Sequence, residues 1–397
     1  MPRTANPATV GAARRWAMLA VSTAAQAAAA VTIHGPAFLI PVLHERRGLS
    51  LAGAAFVATT PMLGVMCTLV AWGWVVDRAG ERFSLLAGLG ATCVAALVSS
   101  RVHSTALLAL TLFVAGATAA STGSASGRVV VGWFPSRQRG LAMGIRQTAQ
   151  PIGVGIAAVT IAVVADRRGI GTALLVPTVA AAVAALAVAV VVVDPPRPPR
   201  PAGSAPNPYR GGTFLSRIHG VSVLLVVPQF LVWTFALVWL IDDRHWSPGA
   251  AGSLVAVAQV FGAVGRIGVG VLSDRVGSRT VVLRRVAVVA VATMAALGLT
   301  AGLDSPVSVV LLVAATMVTV ADNGLAFTAV AERAGPFWSG RALGVQNTVQ
   351  YLTAAVCGPI AGAAIGTWGH PATFAVAAAF PLVAIPLVPR DEAAFGD

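Results

Sequence analysis

No lysine occurs in the 397 residues; all 27 basic side chains are arginine. A phosphate-cradling loop of the form G-x-x-x-x-G-K-[ST] therefore cannot be built, which argues against direct drive by ATP. Charge is scarce altogether, at 10% against 57% hydrophobic residues. Soluble domains carry about 25% charged residues, so the solvent of this chain is a bilayer. Only three cysteines occur, Cys67, Cys93 and Cys357, each inside an apolar run. They read as free, buried thiols with neither disulfide nor zinc spacing. No His/Cys cluster suggests a metal and no constellation supports an enzyme, so no catalytic residue, metal or cofactor is expected. The formal net charge of +13 invites a nucleic-acid reading, but the arginines lie between apolar runs rather than on one basic face. Membrane topology explains them better, and no nucleic acid is expected as a partner.

Against these absences stands a series of long apolar runs. A spanning helix needs about 20 apolar residues, and twelve runs meet that length: roughly 16–43, 50–76, 84–100, 104–133, 141–165, 171–193, 217–241, 249–272, 282–302, 306–330, 341–365 and 372–388. Their periodicity is helical rather than alternating, which leaves no β-barrel signature. Arg3, Arg14 and Arg15 precede the first run, which exceeds the apolar core of about 7–15 residues found in a signal peptide and reads as a retained first span.

The chain carries one motif twice. Gly73 to Arg82 reads GWVVDRAGER and Gly270 to Arg279 reads GVLSDRVGSR, 197 residues apart. Both copies follow G-x-x-x-D-R-x-G-x-R: Gly73, Asp77, Arg78, Gly80 and Arg82 in the first, Gly270, Asp274, Arg275, Gly277 and Arg279 in the second. The first glycine permits close helix packing and the second a tight turn. Further repeats follow, RQRGLAMGIRQTAQ (Arg137 to Gln150) over FWSGRALGVQNTVQ (Phe337 to Gln350) at a shift of 200, and RGLSLAGAAF (Arg47 to Phe56) echoed by RHWSPGAAGS (Arg244 to Ser253). The doubled motif resembles the loop between helices two and three, repeated between eight and nine, of major facilitator superfamily transporters. The resemblance covers nearly the whole chain. It implies an all-α integral membrane protein of twelve transmembrane helices in two pseudo-symmetric six-helix bundles, with a substrate path between the halves near mid-membrane. On that basis residues 1–193 form the first bundle, 217–397 the second, and the Pro/Gly-rich segment 194–216 a cytoplasmic linker.

With both termini and the even-to-odd loops cytoplasmic, eighteen arginines face inside. They are Arg3, Arg14, Arg15, Arg78, Arg82, Arg137, Arg139, Arg197, Arg200, Arg210, Arg217, Arg275, Arg279, Arg284, Arg285, Arg333, Arg341 and Arg390; six, Arg46, Arg47, Arg101, Arg167, Arg168 and Arg244, face outside. This asymmetry orients the chain by the positive-inside rule in a bacterial inner membrane.

Charges within spans cost about 2.5–3.5 kcal/mol on insertion scales and are functional candidates. There are four: Arg128, Arg146, Arg266 and Asp322. Three positive groups against one negative leave a positive centre that an anionic substrate would neutralise. Arg266 lies eight residues before Asp274, about 12 Å inside the cytoplasmic end. It resembles the span-eight arginine that binds the substrate anion in oxalate/formate exchangers and nitrate carriers; the alternative is a packing or gate arginine paired with a carbonyl or Asp322. Arg146, Gln147 and Gln150 fall at i, i+1 and i+4 on one face of span five, and their repeat partners Gln346, Asn347 and Gln350, followed by Tyr351, on one face of span eleven. These faces either line a polar cavity or bond neighbouring spans to one another.

Arg128 lies six residues before Phe134, roughly 9 Å from the interface. The superfamily resemblance implies a cytoplasmic gate in which Asp77 pairs with a span-four arginine, and direct substrate contact is the alternative. Glu332 and Arg341 read as gate or surface charges. Asp322, beside Asn323, either carries a coupling proton or stays ionised against an arginine. His34, beside Gly35 and Pro36, either titrates near neutrality and touches substrate or serves as a local hydrogen-bond donor.

QPIGVG (Gln150 to Gly155) and GPIAG (Gly358 to Gly362) partly resemble the antiporter motif of drug exporters, which belongs in span five; there Gln150 stands where glycine is required. The chain therefore reads as a monomeric secondary transporter of a small solute, first an organic or inorganic anion moved by proton symport or anion exchange. A proton-antiport efflux pump for drugs or metabolites is the alternative, and a non-transporting receptor on the same scaffold stands further off.

Overall fold

The computed structural model describes residues 10–195 and 206–390. Arg3, Arg197 and Arg200 of the orientation count, and residues 196–205 of the linker, lie outside the described residues. Every regular element among the described residues is helical, so backbone polar groups are satisfied within each segment, as hydrocarbon demands. Eleven stretches are long and apolar enough to cross a membrane: α1 (Ala12–Arg47), α2 (Gly53–Ala79), α3 (Glu81–Arg101), α4 (Thr105–Trp133), α5 (Ser136–Arg168), α6 (Ile170–Val191), α7 (Phe214–Asp242), α8 (Ala250–Val276), α9 (Arg279–Gly302), α10 (Val307–Ala334) and α11 (Ser339–Leu387). The last holds 49 residues, about 74 Å of helix at 1.5 Å per residue, against a hydrocarbon thickness of about 30 Å. It leaves helical geometry at Gly369 (φ 78°, ψ 169°) and so contains both the eleventh and the twelfth expected spans.

Several spans are interrupted. α1 tightens into a 3-10 turn over Gly35–Leu39, where Pro36 removes a donor. α4 breaks at Ala120, α5 at Gln147–Thr148 and α10 at Val320–Ala321. The α4 and α10 breaks sit at the same 200-residue shift as the sequence repeat, so the duplication extends to backbone irregularities.

Two compact units emerge from the chain. The first contains the described residues within Met1–Phe134, Thr148–Pro206 and Ala334–Val345; the second takes Pro135–Gln147, Asn207–Arg333 and the described part of Gln346–Asp397. In the first, a Cβ on Gly64 would collide with the carbonyl of Phe113 and one on Gly116 with that of Pro61, so α2 and α4 cross at backbone contact. Thr68 Oγ1 and Trp72 Nε1 then both donate to the carbonyl of Ala117, at 2.7 and 2.8 Å. In the second unit, Trp239 and Phe374 meet edge-on at 5.8 Å within a core that includes Leu231, Leu240, Leu297 and Leu312. The reading of all three cysteines as buried needs correction: Cys357 is buried, Cys93 intermediate and Cys67 exposed. An apolar run fixes contact with hydrocarbon, and lipid serves as well as protein; Val190, 81% exposed, shows the same.

Gly116→Val should lower the melting temperature of the detergent-solubilised protein by several degrees, because overpacking costs about 1–3 kcal/mol. Gly90→Ala, at a position with nothing within 4 Å of the added Cβ, should not. Equal melting curves for Gly116→Val and wild type would contradict the backbone-contact crossing.

Candidate functional site

The first motif builds a buried ionic node. Asp77, 1% exposed, accepts hydrogen bonds from the amides of Gly340 (2.8 Å) and Arg341 (3.1 Å), from Arg341 Nε (2.9 Å) and from Arg128 Nη1 (2.9 Å). Arg128 also reaches Glu81 Oε1 through Nε at 3.0 Å, so one guanidinium bridges two buried carboxylates. The carboxylate of Asp77 thereby caps the start of α11, where amides have no intrahelical partner and the helix dipole favours negative charge. Glycine at 340 is required for this approach, since a Cβ there would lie 2.7 Å from Asp77 Oδ1. Gly73 meets the same turn: its Cβ would lie 2.7 Å from the carbonyl carbon of Gly340.

The second motif repeats this geometry in the second unit. Asp274 accepts from the amides of Gly140 (2.9 Å) and Leu141 (2.8 Å) in the opening turns of α5. Gly270 faces Gly140 as Gly73 faces Gly340. The cation differs. The repeat position of Arg128 is Thr328, and Arg279 serves instead, donating to Asp274 Oδ1 (2.5 Å), Ser273 Oγ (2.6 Å) and the Ser136 carbonyl (2.6 Å). Glu332 completes the node, 3.2 Å from Arg139 and 3.6 Å from Arg279. In the first unit Arg82 donates instead to the Ala189 carbonyl at 2.6 Å, and its amide is held by Asp194 at 2.8 Å. Gly80 turns there at φ 101°. Gly277 makes the equivalent turn at φ 74°, while Arg78 and Arg275 are exposed, Arg78 lying 4.1 Å over the Trp74 ring.

A second constellation lies wholly within the second unit. Arg146 and Arg266 are 0% and 4% exposed. Arg146 donates to Gln147 Oε1 at 2.7 Å, stands 5.4 Å from the Phe327 ring and interacts electrostatically with Tyr351. Arg266 donates through Nη1 to the Gln147 carbonyl at 3.2 Å and faces the Trp233 ring at 5.8 Å. That carbonyl is available because the residue four positions on, Pro151, has no N–H to donate to it, and α5 is interrupted at Gln147–Thr148. Asp322, 1% exposed, is within electrostatic reach of Arg266. It opens the helical segment Asp322–Ala334 after the α10 break, its own amide and that of Asn323 turned toward the carboxylate. Four polar atoms here have no hydrogen-bond partner: Arg266 Nε, Trp233 Nε1 and both oxygens of Asp322.

Two polar chains adjoin it in the same unit. Asn323 donates to Gln229 Oε1 and accepts from Gln350 Nε2, both at 2.9 Å. Tyr209, His219, Gln346 and Ser222 form the other, with contacts of 3.0, 2.5 and 2.5 Å. Gln346 donates to Ser222, so its Oε1 accepts from His219 Nδ1–H, and His219 Nε2 accepts from Tyr209. Burial pushes the Tyr209 phenol up to about 12, which keeps it protonated as that donor.

The expected residues thus divide. Arg146, Gln147, Arg266, Asp322, Gln346, Gln350 and Tyr351 meet in the second unit, with Asn347 half-buried beside them. Gln150 and His34 belong to the first unit, where His34 Nε2 has no hydrogen-bond partner. The single shared face of Arg146, Gln147 and Gln150 is corrected by the helix break, after which Gln150 no longer continues the register of Arg146. Sequence reasoning missed Glu81, Gln229, Trp233, His219 and Ser222. The last four stand at 219, 222, 229 and 233 in α7, a helical-spacing polar stripe that reveals one face of an otherwise apolar span. Among the described residues no group of three or more His, Cys, Asp or Glu is placed to hold a metal.

The model of the Major Facilitator Superfamily matches residues 20–356. An uncharacterized MFS-type transporter of Mycobacterium tuberculosis (strain ATCC 25618 / H37Rv) is 45% identical over 387 residues, 97% of this chain and 86% of the relative. Among solved structures, the transporter FucP in its outward conformation matches with a TM-score of 0.75 at 13% identity, covering 93% of this chain and 97% of its own. The proton:xylose symporter XylE matches at 0.75 and 13%, covering 95% of each. The human organic anion transporter MFSD10 (TETRAN) matches at 0.72 and 15%, covering 94% and 99%. At these identities the solved structures share the fold alone.

Asp77→Asn removes the charge that caps α11 and leaves Arg128 and Arg341 short of a counter-ion; breaking a buried pair costs about 3–5 kcal/mol. In a background lacking the three native cysteines, a cysteine replacing Ser339, itself 2% exposed, should react with maleimide at least about tenfold faster when Asp77 is Asn, since 1.4 kcal/mol is tenfold in population. Unchanged labelling would sink the capping role.

Proposed function

The chain belongs to the Major Facilitator Superfamily and is a multi-pass secondary transporter of that type, and we propose that its substrate is a small organic or inorganic anion moved by alternating access, through proton symport or anion exchange. The observation that carries this reading is Arg266: a buried guanidinium whose Nε has no partner, with Arg146 beside it in the same unit and Asp322 within electrostatic reach. A buried N–H without an acceptor costs about 1–3 kcal/mol, and a carboxylate or similar oxyanion would supply one. Charge-assisted bonds to such groups are the strong ones, and the planar fork of arginine matches their geometry. Asp322 supplies an acidic group for coupling, and the nodes at Asp77 and Asp274 act as gates that open and close with the transport cycle. The repeat supports 1–193 and 217–397 as the two six-helix halves joined by 194–216. The arginine asymmetry supports cytoplasmic termini.

The efflux reading keeps one observation, an apolar cavity of about 500 Å³ in the second unit lined by Val227, Leu231, Leu352, Val356, Cys357 and Trp368, which suits a lipophile.

A thermal-shift screen against small carboxylates, nitrate-like anions and lipophilic cations supplies the ligand, and calorimetry then compares wild type with Arg266→Lys and Arg266→Gln. Removing one partner of a desolvated charge pair costs about 2–5 kcal/mol, roughly thirtyfold to several thousandfold, and the lysine should bind weakly although it keeps the charge. A best ligand that is a neutral or cationic lipophile, or two variants within about twofold of wild type, hands the site to the efflux reading. Reporter fusions at Arg210 and after Asp397 should both report cytoplasm; a signal from the other side at either point refutes the orientation.

A further inference from the structure

Resting on the anion reading above, we propose that the substrate carries a hydrogen-bond donor on the carbon next to its carboxylate, an ammonium or a hydroxyl, and that Asp322 is the acceptor that selects it. The unspent groups of the second unit are of both kinds. Arg266 Nε and Trp233 Nε1 are donors, while the two oxygens of Asp322 are acceptors, and all four lack partners. They come from three spans, α7, α8 and α10, and Arg266 is in contact range of one and electrostatic reach of the other.

The local chemistry does not let these groups satisfy one another. Arg266 spends Nη1 on the Gln147 carbonyl and makes no direct ion pair with Asp322 among the described residues. The side chain of Asn323, the next residue, is committed on both sides of its amide, to Gln229 and to Gln350, and only the backbone amides of residues 322 and 323 lean toward the carboxylate, without closing to a hydrogen bond. The carboxylate is 1% exposed, so water does not reach it from an open surface. A plain carboxylate ligand would satisfy the two donors but would leave both Asp322 oxygens bare and set a second negative charge beside them. A ligand with an adjacent donor satisfies donors and acceptors together, and a site built to bond a substrate OH or NH rejects the analogue that lacks it. The class is therefore a 2-amino or 2-hydroxy carboxylate. An Asp322 that served only as a proton carrier would, when protonated, present an O–H and select for no such donor.

The test compares matched ligands on the full chain by calorimetry at one pH: propionate, lactate and alanine, and the phenyl-bearing set 3-phenylpropionate, 3-phenyllactate and phenylalanine. In wild type, at least one donor-bearing member should bind about tenfold or more tightly than its plain partner. Asp322→Asn, which loses the charge but keeps one acceptor oxygen, should at least halve that ratio. A greater loss for the amino than for the hydroxy acid identifies the donor as ammonium, and the reverse as hydroxyl. Plain and donor-bearing ligands binding within twofold in wild type, or Asp322→Asn weakening all members alike, overturns this proposal while the anion reading stands. Failure of every carboxylate overturns both. The wild-type ratio is read without any variant, so an Asp322→Asn that does not fold leaves the test in force.

Discussion

A carboxylate held against the first turns of another helix is the contact on which this molecule depends. Asp77 meets the amides of Gly340 and Arg341, and Asp274 those of Gly140 and Leu141. The amides of Gly340 and Arg341, in the first turn of α11, are left over by the helical bonding pattern and have little water to fall back on within a bilayer-spanning protein, whereas Gly140 and Leu141 lie a turn inside α5 and bond Asp274 in addition. A buried carboxylate has the opposite need. Each group removes the desolvation penalty of the other, and glycine at both crossings lets backbone and carboxylate close to hydrogen-bond distance. The motif therefore conserves a geometry between an aspartate and two glycines far apart in the chain, and its arginines vary in what they do. Arg82 ties down a carbonyl of α6, whereas its repeat partner Arg279 supplies the cation for Asp274.

The same accounting separates two kinds of buried arginine. Arg128 is matched by Asp77 and Glu81 at 2.9 and 3.0 Å, and such a group has no reason to bind anything else. Arg266 keeps an N–H unspent beside a carboxylate that is also unspent. A pair that stops short of direct contact leaves a donor and two acceptor oxygens unspent in surroundings where each would be strongly favoured to bond. That contrast, rather than burial or charge alone, separates the ionic clamp at Arg128 from the pair on which the proposed anion site rests.

How much of this was legible in the sequence depended on whether the signal was local. Helices, spans and the repeat follow from apolar runs and from a motif copied at nearly half the chain length, so the all-α membrane fold was readable. The one count that differs, eleven stretches against twelve runs, arises because a single glycine, Gly369, turns the chain without ending its hydrogen-bonded pattern. Asp77, Arg128 and Arg341 of the first node were readable as charges within or beside spans, but neither Glu81 nor the backbone amides of Gly340 and Arg341 were foreseen as partners, because an amide has no letter of its own. Gln150 was grouped with Arg146 on the assumption of an unbroken helix, although Pro151 has no N–H for the Gln147 carbonyl four residues back and so marks the break at Gln147–Thr148. Trp233, Gln229, Ser222 and His219 passed as isolated polar residues, although their spacing along α7 sets them on one stripe.

The duplication explains where the charges came to rest. A Cβ on Gly144 would lie 2.7 Å from the carbonyl oxygen of Arg266, and one on Gly344 2.7 Å from that of Leu69, so Arg266 and Leu69 occupy equivalent places. By the shift of 200 that relates Gly144 to Gly344, Asp322 corresponds to Thr122, Arg146 to Gln346 and Arg128 to Thr328. At each of these four places one copy carries a charge and the other a neutral side chain. Backbone contacts common to both copies tolerate no divergence, because every small residue there is pressed against a carbonyl. The side chains that project away from those contacts were free to differ. Three of the charges, Arg146, Arg266 and Asp322, gathered in the second unit, while Arg128 stayed in the first with two carboxylates to neutralise it. A symmetric scaffold thus supplies paired crossings, and the loss of symmetry among its charges is what gives the second unit a chemistry of its own.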